Sequence, residues 1–201
     1  MITTADRYNS KFLGASVSVN HKNLFFFVTW MFLSSWCFGK QLYLTRDGEI
    51  NFFSSTPIED IKAVNNQVSC VLNKITGDFA FQVPIKGFRF KNALMQEHFN
   101  ENYLESDLYP KSVFKGKISD WENIDISSKP ADVTIEGELT IHGVKKSIKE
   151  SGRIWYNEDK ISGQCKFNIA VADYNIKIPR IVRENIAKII EVSVNVTLKR
   201  K

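Results

Sequence analysis

Apolar and polar side chains alternate along much of the chain, the period of two expected of strands with one dry and one wet face. The clearest case is Val133-Thr-Ile-Glu-Gly-Glu-Leu-Thr-Ile-His-Gly143. Val133, Ile135, Gly137, Leu139 and Ile141 share one face, and Thr134, Glu136, Glu138 and Thr140 the other. His142-Gly143 predicts a tight turn, and Val144 begins a return strand that includes 147–156. Upstream, Leu42 and Leu44 start a short strand, Asp47-Gly48 reads as a turn, and 49–55 is a second strand. Residues 58–66 read as one irregular strand, and Val68, Cys70 and Leu72 stand in phase over 67–72. Over 76–85, Phe79, Phe81, Val83 and Ile85 alternate with Asp78, Ala80, Gln82 and Pro84. Proline removes a ladder donor, so Pro84 belongs at an edge or a bulge. Later strands fall at 112–121 (Phe114, Gly116 and Ile118 in phase), 161–171 (Ile161, Gly163, Cys165, Phe167, Ile169 and Val171) and 190–198.

The period changes over 92–104 (NALMQEHFNENYL), where Met95, Phe99 and Tyr103 recur every four residues. That spacing makes one face of a helix, with Asn92 as its cap. Residues 181–187 read as a helical turn. Eight or so strands, each with one apolar face, leave exposed edges unless they form a sandwich or close into a barrel. Strand length favours the barrel, as do Gly116, Gly137 and Gly163 on the apolar faces, where glycine relieves crowding at bends. The fold class predicted is all-β: an eight-stranded antiparallel barrel with one helix.

The first 39 residues carry a different signal. Leu24-Phe-Phe-Phe-Val-Thr-Trp-Met-Phe-Leu33 follows His21 and Lys22 and precedes Ser34-Ser-Trp-Cys-Phe-Gly39. A basic flank, a short apolar run and small residues before a polar change describe a secretory signal peptide, and the run falls short of the roughly 20 residues of a bilayer crossing. Cleavage is expected after Gly39, with an uncleaved anchor as the alternative. The chain thus divides into a leader, 1–39, and one domain, 40–201, exported to the periplasm.

Removing Arg7, Lys11, Lys22 and Asp6 from 27 basic and 22 acidic side chains leaves 24 and 21, a net charge of +3. The cations are scattered, and Lys199-Arg200-Lys201 lacks interleaved aromatics, which argues against a nucleic-acid partner. Cys70 and Cys165 form an even pair that export would allow to bridge, yet both occupy apolar phases, and the reading preferred is two free, buried thiols.

Enzymatic candidates are thin. His142 follows a strand and is expected to hydrogen-bond a turn or neighbouring backbone. His98, with Glu97 and Glu101, offers fewer ligands than a metal needs and reads as a solvated helix face. No nucleophile elbow or phosphate loop occurs, and no cofactor or metal is expected. Phe79, Phe81, Phe114, Phe167 and Tyr103 either line a ligand tunnel or fill the barrel; periodicity alone leaves both open.

The run Met95–Ile118, MQEHFNENYLESDLYPKSVFKGKI, followed by VTIEGELTIHGVKKSI over 133–148, resembles the YceI-like family of exported bacterial lipid-binding proteins. The motifs are Tyr109-Pro110 after the helix, Phe114-Lys115-Gly116, and the hairpin Gly137-Glu-Leu-Thr-Ile-His-Gly-Val-Lys-Lys146. The resemblance implies a lipocalin-like barrel holding a long-chain isoprenoid or fatty-acyl lipid. Lumen candidates are then Phe79, Phe81, Met95, Phe99, Tyr103, Phe114, Leu139, Ile141, Phe167 and Ile169. The chain departs from the family pattern at Lys91-Asn92-Ala93, Glu97-His98 and Ala172-Asp173-Tyr174-Asn175, all expected near the cavity mouth. The carrier reading allows a homodimer and only transient membrane contact for lipid exchange. Two alternatives stand beside it: a lipid isomerase or cyclase using His142, Asp173 or Tyr174, and an interaction module with a filled barrel.

Overall fold

A computed structural model describes residues 41–201; the leader expected over 1–39 lies outside the described residues. Nine strands follow in order: β1 (Leu42–Ser55), β2 (Asp60–Asn73), β3 (Asp78–Pro84), β4 (Arg89–Phe90), β5 (Lys111–Ile118), β6 (Ala131–Ile141), β7 (Val144–Asn157), β8 (Lys160–Ala170) and β9 (Ile189–Arg200). Eight of them close a ring in the order β1-β9-β8-β7-β6-β5-β3-β2, and the β1–β2 pairing completes it. All pairings around the ring are antiparallel. The two-residue β4 adds only to the outer part of β2. Closure removes the edges that eight amphipathic strands would otherwise expose.

Asp47-Gly48 is not a hairpin. β1 runs through it, and the pairing shifts register on either side of Gly48, opposite Val68. The dipeptide forms a β-bulge, with the Thr45 hydroxyl bonded to the Asp47 carboxylate and Asp47 N–H donating to Thr45 Oγ1 at 3.4 Å. Neither residue adopts the left-handed conformation a two-residue hairpin turn requires; glycine serves close approach instead, since a Cβ at Gly48 would lie 2.9 Å from Val196 Cγ1. Residues 60–66 and 67–72 likewise belong to one strand, β2, and Ile58 and Glu59 lie in the preceding turn, which Thr56 closes by donating its hydroxyl to Glu59 O.

Two breaks in the ladder shape the wall. β2 and β3 pair only from Ser69↔Gln82 to Leu72↔Phe79. Above that, Pro84 ends β3 and the chain turns through a 3-10 element, Ile85–Gly87. Fully buried Asn65 spans this break, donating Nδ2–H to Pro84 O (2.8 Å) and accepting from Gln67 N–H (2.8 Å). β7 and β8 pair only from Gly152↔Cys165 to Asn157↔Lys160. Beyond Gly152 their upper halves separate, and Tyr174 and Ile176 pack there in a cluster with Val144, Ile148, Phe167 and Ile169.

Gly116 and Gly137 pair directly, and a Cβ on either would lie 2.6–2.7 Å from the tip of the Phe114 ring. Glycine is required there so that β5 and β6 can pass beneath the ring. Gly163 differs: a Cβ would meet Val196 at an ordinary 3.4 Å, so crowding is not the reason for this glycine.

The expected helix begins at the Asn92 cap, which accepts from Leu94 N–H at 2.9 Å. It is α-helical over α1 (Ala93–His98) and widens to a π-turn over Phe99–Tyr103. The 181–187 turn contracts to a 3-10 element at Arg180–Val182 within the long β8–β9 connection.

Candidate ligand cavity

Strand polarity divides the barrel into two ends. The 74–77, 119–130 and 158–159 connections lie at one end. The β1–β2 turn, α1, the His142-Gly143 turn and the β8–β9 connection lie at the other. The first end is packed shut. Tyr43, Leu72, Ile118, Ile161 and Leu198 are buried together, with Trp121, Ile124 and Tyr156 against them. Trp121 Nε1–H donates to Lys74 O (2.9 Å), and the Lys74 ammonium lies 4.8 Å from the Tyr156 ring centre. The Asp159 carboxylate and then Tyr43, both hydrogen-bonded to it, push the Tyr156 hydroxyl up to about 12.

Above this floor the side chains do not fill the lumen. A cavity of about 500 Å³ extends up the barrel and is lined from every strand of the ring, within the range of small-molecule sites. On β8 its wall runs from Ile161 to the Val171 that follows the strand, roughly 25 Å along the axis at ordinary strand rise and barrel tilt. The mouth is the α1 end, where the exposed Leu94 and His98 form part of the lining.

The dry faces read from the alternation point into this space. Phe79 and Phe81 come from β3, Phe114 from β5, Leu139 and Ile141 from β6, and Phe167 and Ile169 from β8. Met95, Phe99 and Tyr103, the four-residue repeat, present the inner face of the helical segment to the same cavity. Phe79 stacks at an angle on Phe114 (centroids 5.1 Å) and edge-on to Phe81 (5.6 Å). At the mouth, Phe99 gathers Phe52, Phe88 and Phe90 at 5.0–5.4 Å. Such packing holds the rings as a wall rather than letting them collapse inward.

The free thiols line the cavity too, and burial pushes Cys70 up to about 12 and Cys165 to about 11, the Glu150 charge adding to the latter. Burial also raises the Tyr103 hydroxyl.

Several lining residues were not singled out by the pattern. Ile176, Ile178, Val182 and Ile186 come from the β8–β9 connection, whose sequence has no sustained period. Phe88 and Phe90 follow the break after Pro84. Glu150 stands on the lumen face of β7, paired with Ile135.

His98 borders the mouth, whereas His142 has a different role. His142 sits in the left-handed turn (φ 50°, with Gly143 at 74°) that closes β6 onto β7. Its Nδ1 lies 3.1 Å from Tyr174 O and its Nε2 2.6 Å from the Glu105 carboxylate, and its ring packs 4.5 Å from that of Tyr109. Neither His142, Asp173 nor Tyr174 is part of the cavity lining; Asp173 faces Lys146 at 3.8 Å. The lipid-processing alternative needed at least two of the three in the lumen, and that constellation does not form. Among the described residues no three His, Cys, Asp or Glu side chains gather as a metal site would require.

The YceI-like domain model matches residues 17–198. The chain belongs to the YceI-like family. Solved structures share the fold of this YceI-like chain. One is a polyisoprenoid binding domain from Saccharophagus degradans implicated in plant cell wall breakdown, at 14% identity and TM-score 0.70, covering 81% of this chain and 100% of that one. Another is BcnA of Burkholderia cenocepacia, at 11% identity and TM-score 0.63, covering 75% and 95%. A mutant Campylobacter jejuni YCEI protein with a monobromobimane guest aligns at 17% identity and TM-score 0.53, covering 69% and 84%. No curated protein matches the sequence.

Proposed function

We propose that the protein is an exported carrier that holds one long-chain isoprenoid or fatty-acyl lipid in the barrel lumen. The observation that carries this reading is the apolar cavity of about 500 Å³, walled by Phe, Ile, Leu and Val and closed at one end. A filled barrel would leave no such space. Each buried methylene contributes about 0.8 kcal/mol, so ten contribute roughly 8 kcal/mol before the cost of association, on the order of 4–15 kcal/mol, is subtracted. A chain longer than ten carbons is therefore needed for tight binding, and an isoprenoid or long acyl chain supplies it. The Saccharophagus relative, a polyisoprenoid binding domain, supports the same ligand class.

Ligand exchange takes place at the mouth, in transient contact with a membrane. Ile58, Leu94 and Ile181 stand 64%, 55% and 91% exposed at that end. Arg180 and Arg183 flank Ile181, which joins an apolar tip to cations suited to an anionic lipid surface. In this reading the leader is cleaved after Gly39 and the carrier works in the periplasm.

The test is mass spectrometry of organic extracts from the exported protein, beginning at Lys40 and purified without detergent. A stoichiometric polyprenyl or acyl species is expected. An empty extract, with no uptake of added long-chain lipid, would contradict the carrier reading.

A further inference from the structure

Glu150 is out of place in an apolar lumen. Its pairing with Ile135 sets it on the cavity face of β7, between Ile148 and Ile154, all four being part of the lining. Six residues below Val144, it lies roughly 15 Å down the barrel axis from the turn. Glu59, the other lining carboxylate, receives a hydrogen bond from Asn185 Nδ2 at 3.2 Å. Glu150 has no such partner among the described residues, and burial raises its pKa with no cation or donor acting against it. The cations of its own strand are engaged elsewhere. Lys149 and Lys145 point to the other face and meet Glu136 at 2.7 Å and Glu138 at 3.2 Å. Lys146 lies toward the mouth, 3.8 Å from Asp173, and Arg153, itself part of the lining, is held by donating to Gln164 Oε1 at 3.2 Å.

The local wall adds to this. The β7–β8 ladder stops at Gly152↔Cys165, two residues from Glu150, so no β8 strand pairs with the backbone around it. The Cys165 thiol donates to Ser151 O at 3.3 Å across the start of the gap. Filling the lumen with hydrocarbon would strip the remaining water from the carboxylate and leave it ionised in an apolar medium, which is strongly unfavourable unless a donor meets it. A ligand whose head is such a donor removes the conflict.

We propose that Glu150 is the polar anchor of the cavity, its carboxylate accepting a hydrogen bond from the head of a single-chain amphiphile, so that the lumen takes long-chain amines and alcohols and rejects long-chain carboxylates. This rests on the carrier reading and assigns its ligand class. An anionic head would face Glu150 as a like charge, whereas an ammonium forms the strongest pair and a hydroxyl a weaker one.

The probes are dodecylamine, dodecanol and dodecanoate at submicellar concentration and neutral pH. Their affinities are measured by competition against an environment-sensitive fluorescent lipid on the wild-type, Glu150→Gln and Glu150→Leu proteins. Thermal melts confirm that each is folded. The wild type is expected to bind dodecylamine roughly 10–100-fold more tightly than dodecanoate, the range given by one charged hydrogen bond. Glu150→Leu abolishes that preference, and Glu150→Gln weakens amine binding while retaining dodecanol. If all three proteins bind the probes without discrimination, the anchor assignment is overturned and the carrier reading stands. If the wild type takes up none of them, both fall.

Discussion

Gly163 offers a direct way to occupy the lumen from within. It faces the cavity from β8, and a Cβ there would meet Val196 Cγ2 at 3.4 Å and Arg153 O at 3.8 Å, with nothing else within 4 Å. Its φ lies outside the left-handed region, so a larger side chain adds no backbone strain. In Gly163→Leu the four added carbons project into space that a ligand chain would fill. Removing glycine from a strand stabilises by about 0.5–1 kcal/mol. Burying a leucine side chain adds at most about 1.5–3 kcal/mol, less if it shares the lumen with water. The ligand-free protein should therefore melt higher by at most about 4–16 °C, at roughly 2–4 °C per kcal/mol for a domain of this size. The leucine also displaces about four ligand methylenes from the lumen. At about 0.8 kcal/mol each they sum to about 3 kcal/mol, a roughly hundredfold weaker Kd. Gly116→Ala is the control, because its Cβ would stand 2.2 Å from Glu136 O, a backbone atom in the adjacent strand. That variant loses stability, at the upper end of the roughly 1–3 kcal/mol that overpacking costs. Thermal unfolding and competition with a fluorescent long-chain lipid read both effects. If Gly163→Leu bound lipid as tightly as wild type, or melted lower, the lumen would not be where the chain resides.

Asn65→Ala leaves Pro84 O and Gln67 N–H unsatisfied in a site of 0% exposure; a loss of about 2–4 kcal/mol in urea unfolding is expected, and a loss below about 1 kcal/mol would show that the break between β2 and β3 is held by other means. Because Glu150 has a higher pKa folded than unfolded, its ionised form opposes folding, an effect absent below the unfolded value and growing as pH rises through the folded one. Glu150→Gln should therefore melt above wild type at pH 7–8 and level with it near pH 4, near the unfolded carboxylate value; a constant difference across that range would refute the linkage. Cys165, pushed up to about 11, should react with iodoacetamide at pH 8 roughly a hundredfold or more slower than a free thiol near 8.5, and slower still with lipid loaded. Reaction at the free-thiol rate would contradict its burial in the cavity wall.

The barrel was legible because strand alternation records burial directly: β6 and β8 carry an unbroken period of two, and their dry faces are the cavity wall. Where chain chemistry serves two conformations equally well, the pattern misleads. The glycine of Asp47-Gly48 fits a left-handed turn or a close approach of neighbouring side chains, and here it serves the second, a Cβ meeting Val196 Cγ1 at 2.9 Å within a bulge. The four-residue spacing of Met95, Phe99 and Tyr103 located the helical face but not the π-turn, since widening one turn leaves a short apolar stripe on the same side. The β8–β9 connection was opaque for a different reason. Ile176, Ile178, Val182 and Ile186 contribute to the cavity through an irregular backbone held by Ala187 N–H donating to Ser54 Oγ (2.9 Å) and by Asn185 to Glu59. Glu150 was missed because a glutamate on a strand is ordinarily wet, and nothing in the local sequence shows that β8 leaves β7 two residues away.

The central claim is that the lumen holds one long-chain lipid. Native mass spectrometry of the intact protein, after detergent-free incubation with a polyprenyl alcohol, tests it most directly. The account predicts one discrete adduct per chain, much reduced in Gly163→Leu. A bare protein mass, or several weak adducts unchanged by Gly163→Leu, would contradict it.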